Sequence, residues 1–173
     1  MANGVGGAEL YNPATGKFTA TGSMLSGHAN PVGTLLTDGD VLVTGKGQPF
    51  AELYNPATGQ WSNASNGLGL CNSNMECRYN STATLLPIGK VLLAGGLTGL
   101  ISNPQTTATA LLYDPATNSW TGTGSMTTGR ENQTATLLPD GQVLMAGGTL
   151  FDHPSAGHPG LLEVLTSAEL YTP

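Results

Sequence analysis

The sequence predicts an all-β protein assembled from one repeated, four-stranded antiparallel unit, and three observations carry that expectation. The first is a long hairpin, two apolar runs around a tight turn, found at residues 32–46 (VGTLLTDGDVLVTGK), 82–96 (TATLLPIGKVLLAGG) and 134–148 (TATLLPDGQVLMAGG). The second is a shorter hairpin built on a tyrosine and an Asn/Asp-Pro-Ala-Thr turn, which precedes the first long hairpin and follows each of them in some form. The third is composition: 9% charged residues, 25 Gly and 11 Pro suit short strands joined by tight turns, and no stretch shows the Ala/Glu/Lys/Leu mix of a helical bundle at 3.6-residue spacing.

From Ala8 the chain reads AELYNPATGKFTATGSM, a short strand ending at Tyr11, a turn, and a return strand through Phe18. Asn before Pro with Gly closing the turn is a hairpin connection, because Pro presets φ and Gly accepts a conformation that a Cβ opposes. A polar link, LSGHAN, leads to the first long hairpin, and AELYNPATGQW at 51–61 repeats the short one. One unit is therefore two hairpins, four strands in all. The second unit follows a polar loop at 62–79; its long hairpin passes through a loop, LTGLISNPQTT, to TALLYDPATNSW at 109–120. The third opens at Gly129, crosses an insertion, TLFDHPSAGHPGLLEVLT, and ends at SAELYTP with its last strand missing. The chain thus divides into a partial unit at 8–24, units at 27–62 and 77–122, and a partial unit at 129–173, with two, four, four and three strands.

Measured between Leu36, Leu86 and Leu138, the periods are 50 and 52 residues, close to the roughly 50 of a kelch repeat. Gly95-Gly96 with Tyr113 and Trp120, and Gly147-Gly148 with Tyr171, resemble the kelch pattern of a glycine pair after an apolar strand, a Tyr before the turn and a Trp beyond it. Tyr54 and Trp61 fit too, but Gly45-Lys46 replaces the glycine pair of their unit, and Tyr11 is followed by Phe18 where Trp is expected. The resemblance, to bacterial kelch proteins and the central domain of galactose oxidase-like proteins, runs from Ala8 to Tyr171 and implies a β-propeller of four-stranded blades. These glycines and aromatics are then structural: Gly permits close backbone approach, and Tyr and Trp supply large contacts between blades.

The near-continuous Leu-Leu and Val-Leu runs suit strands buried on both faces, as when blade packs on blade. A propeller needs about four blades to close, and these residues supply about three. An open stack exposes an apolar face at each end and invites association. The partial units at the two ends together make one blade with one AELY strand duplicated, so closure between two chains gives six blades. The expectation is a homodimeric propeller with blades completed across chains.

With 5 basic and 11 acidic residues, net charge −6 and no basic run, the chain is a poor partner for nucleic acid or an anionic membrane surface, and no apolar stretch reaches the ~20 residues of a spanning helix. Cys71 and Cys77, in CNSNMEC, permit a disulfide that closes their loop, or remain two thiols; alone they supply half of a zinc shell. The Thr/Asn-rich, lysine-poor surface leans towards a secreted or cell-surface protein.

The long connections share one face of the blades, so that face is where function is grafted. Aligning the entries to the long hairpins, GHANPVGTLL, CRYNSTATLL and GRENQTATLL, sets Asn30, Asn80 and Asn132 at one position, each two residues after His28, Arg78 or Arg130. These residues ring the mouth of a central channel, where the arginines can fork onto a carboxylate or polar sugar. The competing reading has each Asn capping its own loop and each Arg paired with a carboxylate such as Glu76 or Glu131. Asp152, His153 and His158 are metal-capable residue types in a Pro/Gly-rich loop that fixes no geometry, so no metal or other cofactor is expected. Galactose oxidase-like relatives use two tyrosines, two histidines and a cysteine crosslinked to tyrosine. Tyr79 lies near Cys77 here, but His28, His153 and His158 follow no such motif, which makes an oxidase remnant the distant reading. No catalytic residues are assigned. The expectation is a non-catalytic binding module for a peptide or glycan, and the alternative is a self-assembling propeller fragment with no ligand.

Overall fold

A computed structural model, which describes residues 7–46, 51–64, 78–99, 104–152 and 161–173, is all-β. In chain order its strands are β1 (Glu9–Asn12), β2 (Lys17–Ala20), β3 (Ala29–Leu35), β4 (Val41–Lys46), β5 (Ala51–Asn55), β6 (Gln60–Asn63), β7 (Thr82–Leu85), β8 (Val91–Ala94), β9 (Leu97–Thr98), β10 (Gln105–Thr106), β11 (Ala110–Asp114), β12 (Ser119–Thr123), β13 (Thr134–Leu137), β14 (Val143–Ala146), β15 (Thr149–Asp152), β16 (Leu161–Val164) and β17 (Ala168–Tyr171). They form the antiparallel sheets expected of four successive units: β1-β2, β3-β4-β5-β6, β7-β8-β11-β12 and β13-β14-β17. The architecture is a partial β-propeller of four-stranded blades. Strands β3, β7 and β13, the first of the three larger blades, lie side by side at the inner edge, with β7 in the middle.

Two small sheets depart from expectation. The segments taken from sequence as a loop and an insertion each fold back as a hairpin, β9-β10 and β15-β16, the second in the register Thr149↔Val164 to Asp152↔Leu161. Both spring from the glycine pair that ends the second strand of a blade, so they rise from the face of the long connections.

Packing follows from which strand faces have a neighbour. Leu36, Leu42 and Ala51 of the first full blade meet Val91, Leu93 and Tyr113 of the second, and the other side of the second, Leu86, Leu92 and Ala110, meets Val143 and Met145 of the third. All four residues of β8 are therefore buried, whereas β14, with a neighbour on one side, alternates buried and half-buried.

Polar bonds stitch the same seams. Trp61 Nε1 donates to the Gly22 carbonyl at 2.8 Å, and Trp120 Nε1 to Ala64 at 2.7 Å, each reaching back to the preceding unit. The Tyr54 and Tyr171 hydroxyls share hydrogen bonds of 2.7 and 2.8 Å with Thr21 and Thr123 of the preceding unit. At the matching place before Tyr113 stands Ala64, which has no hydroxyl. Tyr113 donates to Asn118 Oδ1 at 3.0 Å instead, and the Asn118 amide donates to the Asn63 carbonyl at 3.1 Å, restoring the link by one more step. Burial, helped by the nearby charge of Asp38, pushes the Tyr113 phenol up to about 12, so this donor stays protonated.

The glycine pairs earn their place at two seams. Gly95 and Gly96 have φ of 66° and 93°, and Gly147 and Gly148 have 64° and 89°. A Cβ on Gly95 would lie 2.5 Å from the Arg130 carbonyl, and one on Gly148 2.5 Å from that of Glu131. Where Gly45-Lys46 replaces the pair, β4 instead runs on through Lys46, β3 bulges between Ala29 and Val32, and the Lys46 ammonium sits 4.7 Å from the centre of the Tyr79 ring.

Candidate functional site

The three aligned entries to the inner strands do come together, but the two residue types in them part ways. Arg130 is fully buried. Its guanidinium donates to the carbonyls of Gly147 (3.0 Å) and Ser167 (3.1 Å), to Ser167 Oγ (3.2 Å) and to Glu169 Oε1 (2.7 Å). Arg78 makes the same strut one blade earlier, donating to the carbonyls of Gly95 (3.3 Å) and Thr109 (2.8 Å) and to the Thr109 hydroxyl. Burial lowers Arg78 to about 10, which leaves it charged at neutral pH. His28 holds the equivalent place in the first full blade, its Nε2 2.9 Å from Glu52 Oε1, with both side chains inaccessible.

A common device emerges. Glu52 accepts from the amides of Leu25 (2.7 Å) and Ser26 (3.1 Å), and Glu169 from those of Thr127 (2.5 Å) and Thr128 (3.1 Å). The glutamate of AELY thus pins the loop entering its own blade while bonding the basic side chain just beyond it, His28 or Arg130. Burial alone would raise the Glu169 carboxyl, but the Thr127 amide and the Arg130 guanidinium outweigh it and hold the group below the usual range. In the second full blade Leu111 stands where the others have glutamate, and the Thr109 hydroxyl and carbonyl serve Arg78 instead. The arginines therefore do not aim forks at the mouth. Arg130 pairs with the third-strand Glu169 rather than Glu131, because the third strand passes directly beside the buried cation, and Arg78 has no carboxylate partner among the described residues. Glu131 bonds Asn80 instead. The AELY glutamates were missed as functional positions in the sequence, although their recurrence at 9, 52 and 169 was visible there.

The asparagines do line the inner rim. Asn30, Asn80 and Asn132 share left-handed φ values of 51°, 56° and 54°, a conformation that Asn tolerates better than other non-glycine residues. The Asn30 amide donates to Asn80 Oδ1 (2.7 Å), the Asn80 amide to Glu131 Oε2 (2.6 Å), and the Asn132 backbone amide to the Asn80 carbonyl (3.2 Å). Together with Pro31, Ser81 and Gln133 they border an open depression of about 330 Å³. Glu131, beside it, also helps burial to raise the Tyr79 phenol. The arrangement offers amide donors, amide acceptors and one carboxylate, a surface suited to hydrogen bonding with a neutral or cationic polar group. Cys71, Cys77, Glu76, His153 and His158 lie outside the described residues.

These features define a class, the β-propeller with an incomplete ring. Among solved structures the chain is similar to one titled "Structure of YjhT", with a TM-score of 0.59 and 16% identity over 87% of this chain and 55% of that one. The chain spans about half the length of that protein, and at this identity the likeness bears on fold alone. No family model matches the chain, and no curated protein matches its sequence.

Proposed function

We propose that the chain is a kelch-type propeller module without catalytic machinery, which closes its ring by pairing with a second copy and presents the asparagine-lined mouth to a peptide or glycan. The observation that carries the reading is the contrast between seams and ends. The residues that bury Tyr113 and Trp120 to 0% and 2% inside the stack leave their counterparts Tyr11 and Phe18 at 55% and 65% on the open face. Aromatic positions exposed on the open face, whose counterparts Tyr54, Tyr113 and Trp120 are buried where a preceding blade exists, favour a neighbour there too. Light scattering of purified protein tests the association. Binding is tested with Asn30→Gly and Asn132→Gly, which keep the left-handed backbone and remove the amides: on peptide and glycan arrays a binding module loses its ligand with the fold intact.

One observation favours the alternative, an assembling module with no ligand. The terminal guanidinium nitrogens of both arginines donate to carbonyls, hydroxyls and a carboxylate of the chain itself, and a chain that shows no array ligand while remaining associated is of that kind.

A further inference from the structure

We infer that association proceeds by strand exchange: β1 of one copy takes the seat of β17 in the other, so that β13 and β14 are completed by β1 and β2 of the partner. This rests on the ring closure proposed above and specifies how it is made.

The two strands are interchangeable by sequence. β1 lies in Ala8-Glu9-Leu10-Tyr11 and β17 is Ala168-Glu169-Leu170-Tyr171, identical at all four positions. In β17 these residues pair Ala168↔Ala146, Glu169↔Met145, Leu170↔Leu144 and Tyr171↔Val143. Ala8 to Tyr11 therefore reproduce every side chain that β14 meets, on the same faces.

The hairpin that would enter is already shaped as the outer half of a blade. Tyr11 and Phe18 stack with centroids 5.0 Å apart and planes at 47°, against 4.9 Å and 44° for Tyr54–Trp61 and 5.0 Å and 43° for Tyr113–Trp120. Those two pairs sit in complete blades, whereas every residue of β1 and β2 is exposed. The hairpin brings a fourth strand, which the sheet β13-β14-β17 lacks.

Charge points the same way. Glu52 bonds the His28 imidazole and Glu169 the Arg130 guanidinium, yet among the described residues Glu9 has no ion-pair partner. In the seat of Glu169 it meets Arg130, the buried cation of the third blade. The Tyr11 hydroxyl would likewise reach Thr123, as Tyr171 does at 2.8 Å. Leu35, 64% exposed with no inner strands before β3, would be partly covered by the β13-β14 face of the partner, as its half-buried counterpart Leu85 is by the first full blade.

Paired cysteines test the exchange in the full chain, with Cys71→Ser and Cys77→Ser to remove the native cysteines. Leu10→Cys with Leu144→Cys should give, under mild oxidation, a covalent species of twice the chain mass on a non-reducing gel. Leu170→Cys with Leu144→Cys should give little of any crosslink. A dimer in solution that yields only the 144–170 link within one chain overturns the exchange and leaves the dimer standing, whereas a monomer in solution overturns both. A 10–144 link within one chain overturns exchange in favour of closure on itself. Glu9→Lys provides a second arm without cysteines, since this residue is exposed and cannot disturb a core. Exchange sets the lysine against Arg130 and should weaken dimerisation at least tenfold; an unchanged dissociation constant overturns it.

Discussion

Strands β8 and β14 carry almost the same residues, VLLA and VLMA, in the same place in their blades, yet β8 is buried on both faces and β14 on one. The outer hairpins differ more sharply. Tyr113 and Trp120 pack out of solvent, while Tyr11 and Phe18 form the same ring pair in the open. The difference lies in the neighbour rather than in the residues. A blade of this kind is a two-faced slab whose stability is largely supplied by the slabs beside it, and its sequence records that whether or not the neighbour is present.

The contrast breaks most visibly with matched truncations. Leu92→Ala, with a blade on each side, should cost about 2–5 kcal/mol by denaturant unfolding. Leu144→Ala, its half-buried counterpart in β14, should cost less than half as much in the monomeric chain. Equal losses would show that blade faces are not completed by their neighbours.

Arg130→Ala should come next, at about 3 kcal/mol, since it removes a buried cation from a carboxylate and three further acceptors. Leu111→Glu sharpens this comparison by giving the second full blade the carboxylate that the others have. Beside Arg78 the new charge should be tolerated, and in an Arg78→Ala background it should cost several-fold more, a coupling that a thermal-shift double-mutant cycle reads directly.

Gly96→Ala should destabilise by more than about 1 kcal/mol, because the residue sits at positive φ against the Tyr79 carbonyl and Ser81. Gly45→Ala, at the departing unit where φ is not positive, should cost less. The smallest effect concerns pH. The Glu169 carboxyl is held below its ordinary value of about 4.3, so its contribution is present above that pH and fades as pH falls through the lower folded value. Glu169→Gln should therefore flatten the fall of stability with acid over that window.

Much of the fold was legible in the sequence because it repeats. The three long hairpins, the strand counts of two, four, four and three and the seam roles of the Tyr and Trp positions follow from period and turn chemistry. The hairpins β9-β10 and β15-β16 were not legible, since their strands are short, lack strong alternation and occur in segments rich in Gly, Pro, Ser and Thr. At the candidate site, the recurrence of residues was legible but their surroundings were not. Asn30, Asn80 and Asn132 reach the rim, and their recurrence has a backbone reason, left-handed φ, as well as a surface one. The arginines misled because a motif shows that a cation recurs without showing which way it points. The AELY glutamate, repeated in the same strand, was the available clue that an internal partner existed.

Coverage of the open faces by a second copy of the chain is the proposal on which the rest turns. Size-exclusion chromatography with light scattering reads this directly, with Phe18→Ser as the matched variant. The expected result is a particle of twice 17.6 kDa that Phe18→Ser shifts towards the single-chain mass. A stable particle of 17.6 kDa at all concentrations, unmoved by Phe18→Ser, would contradict it.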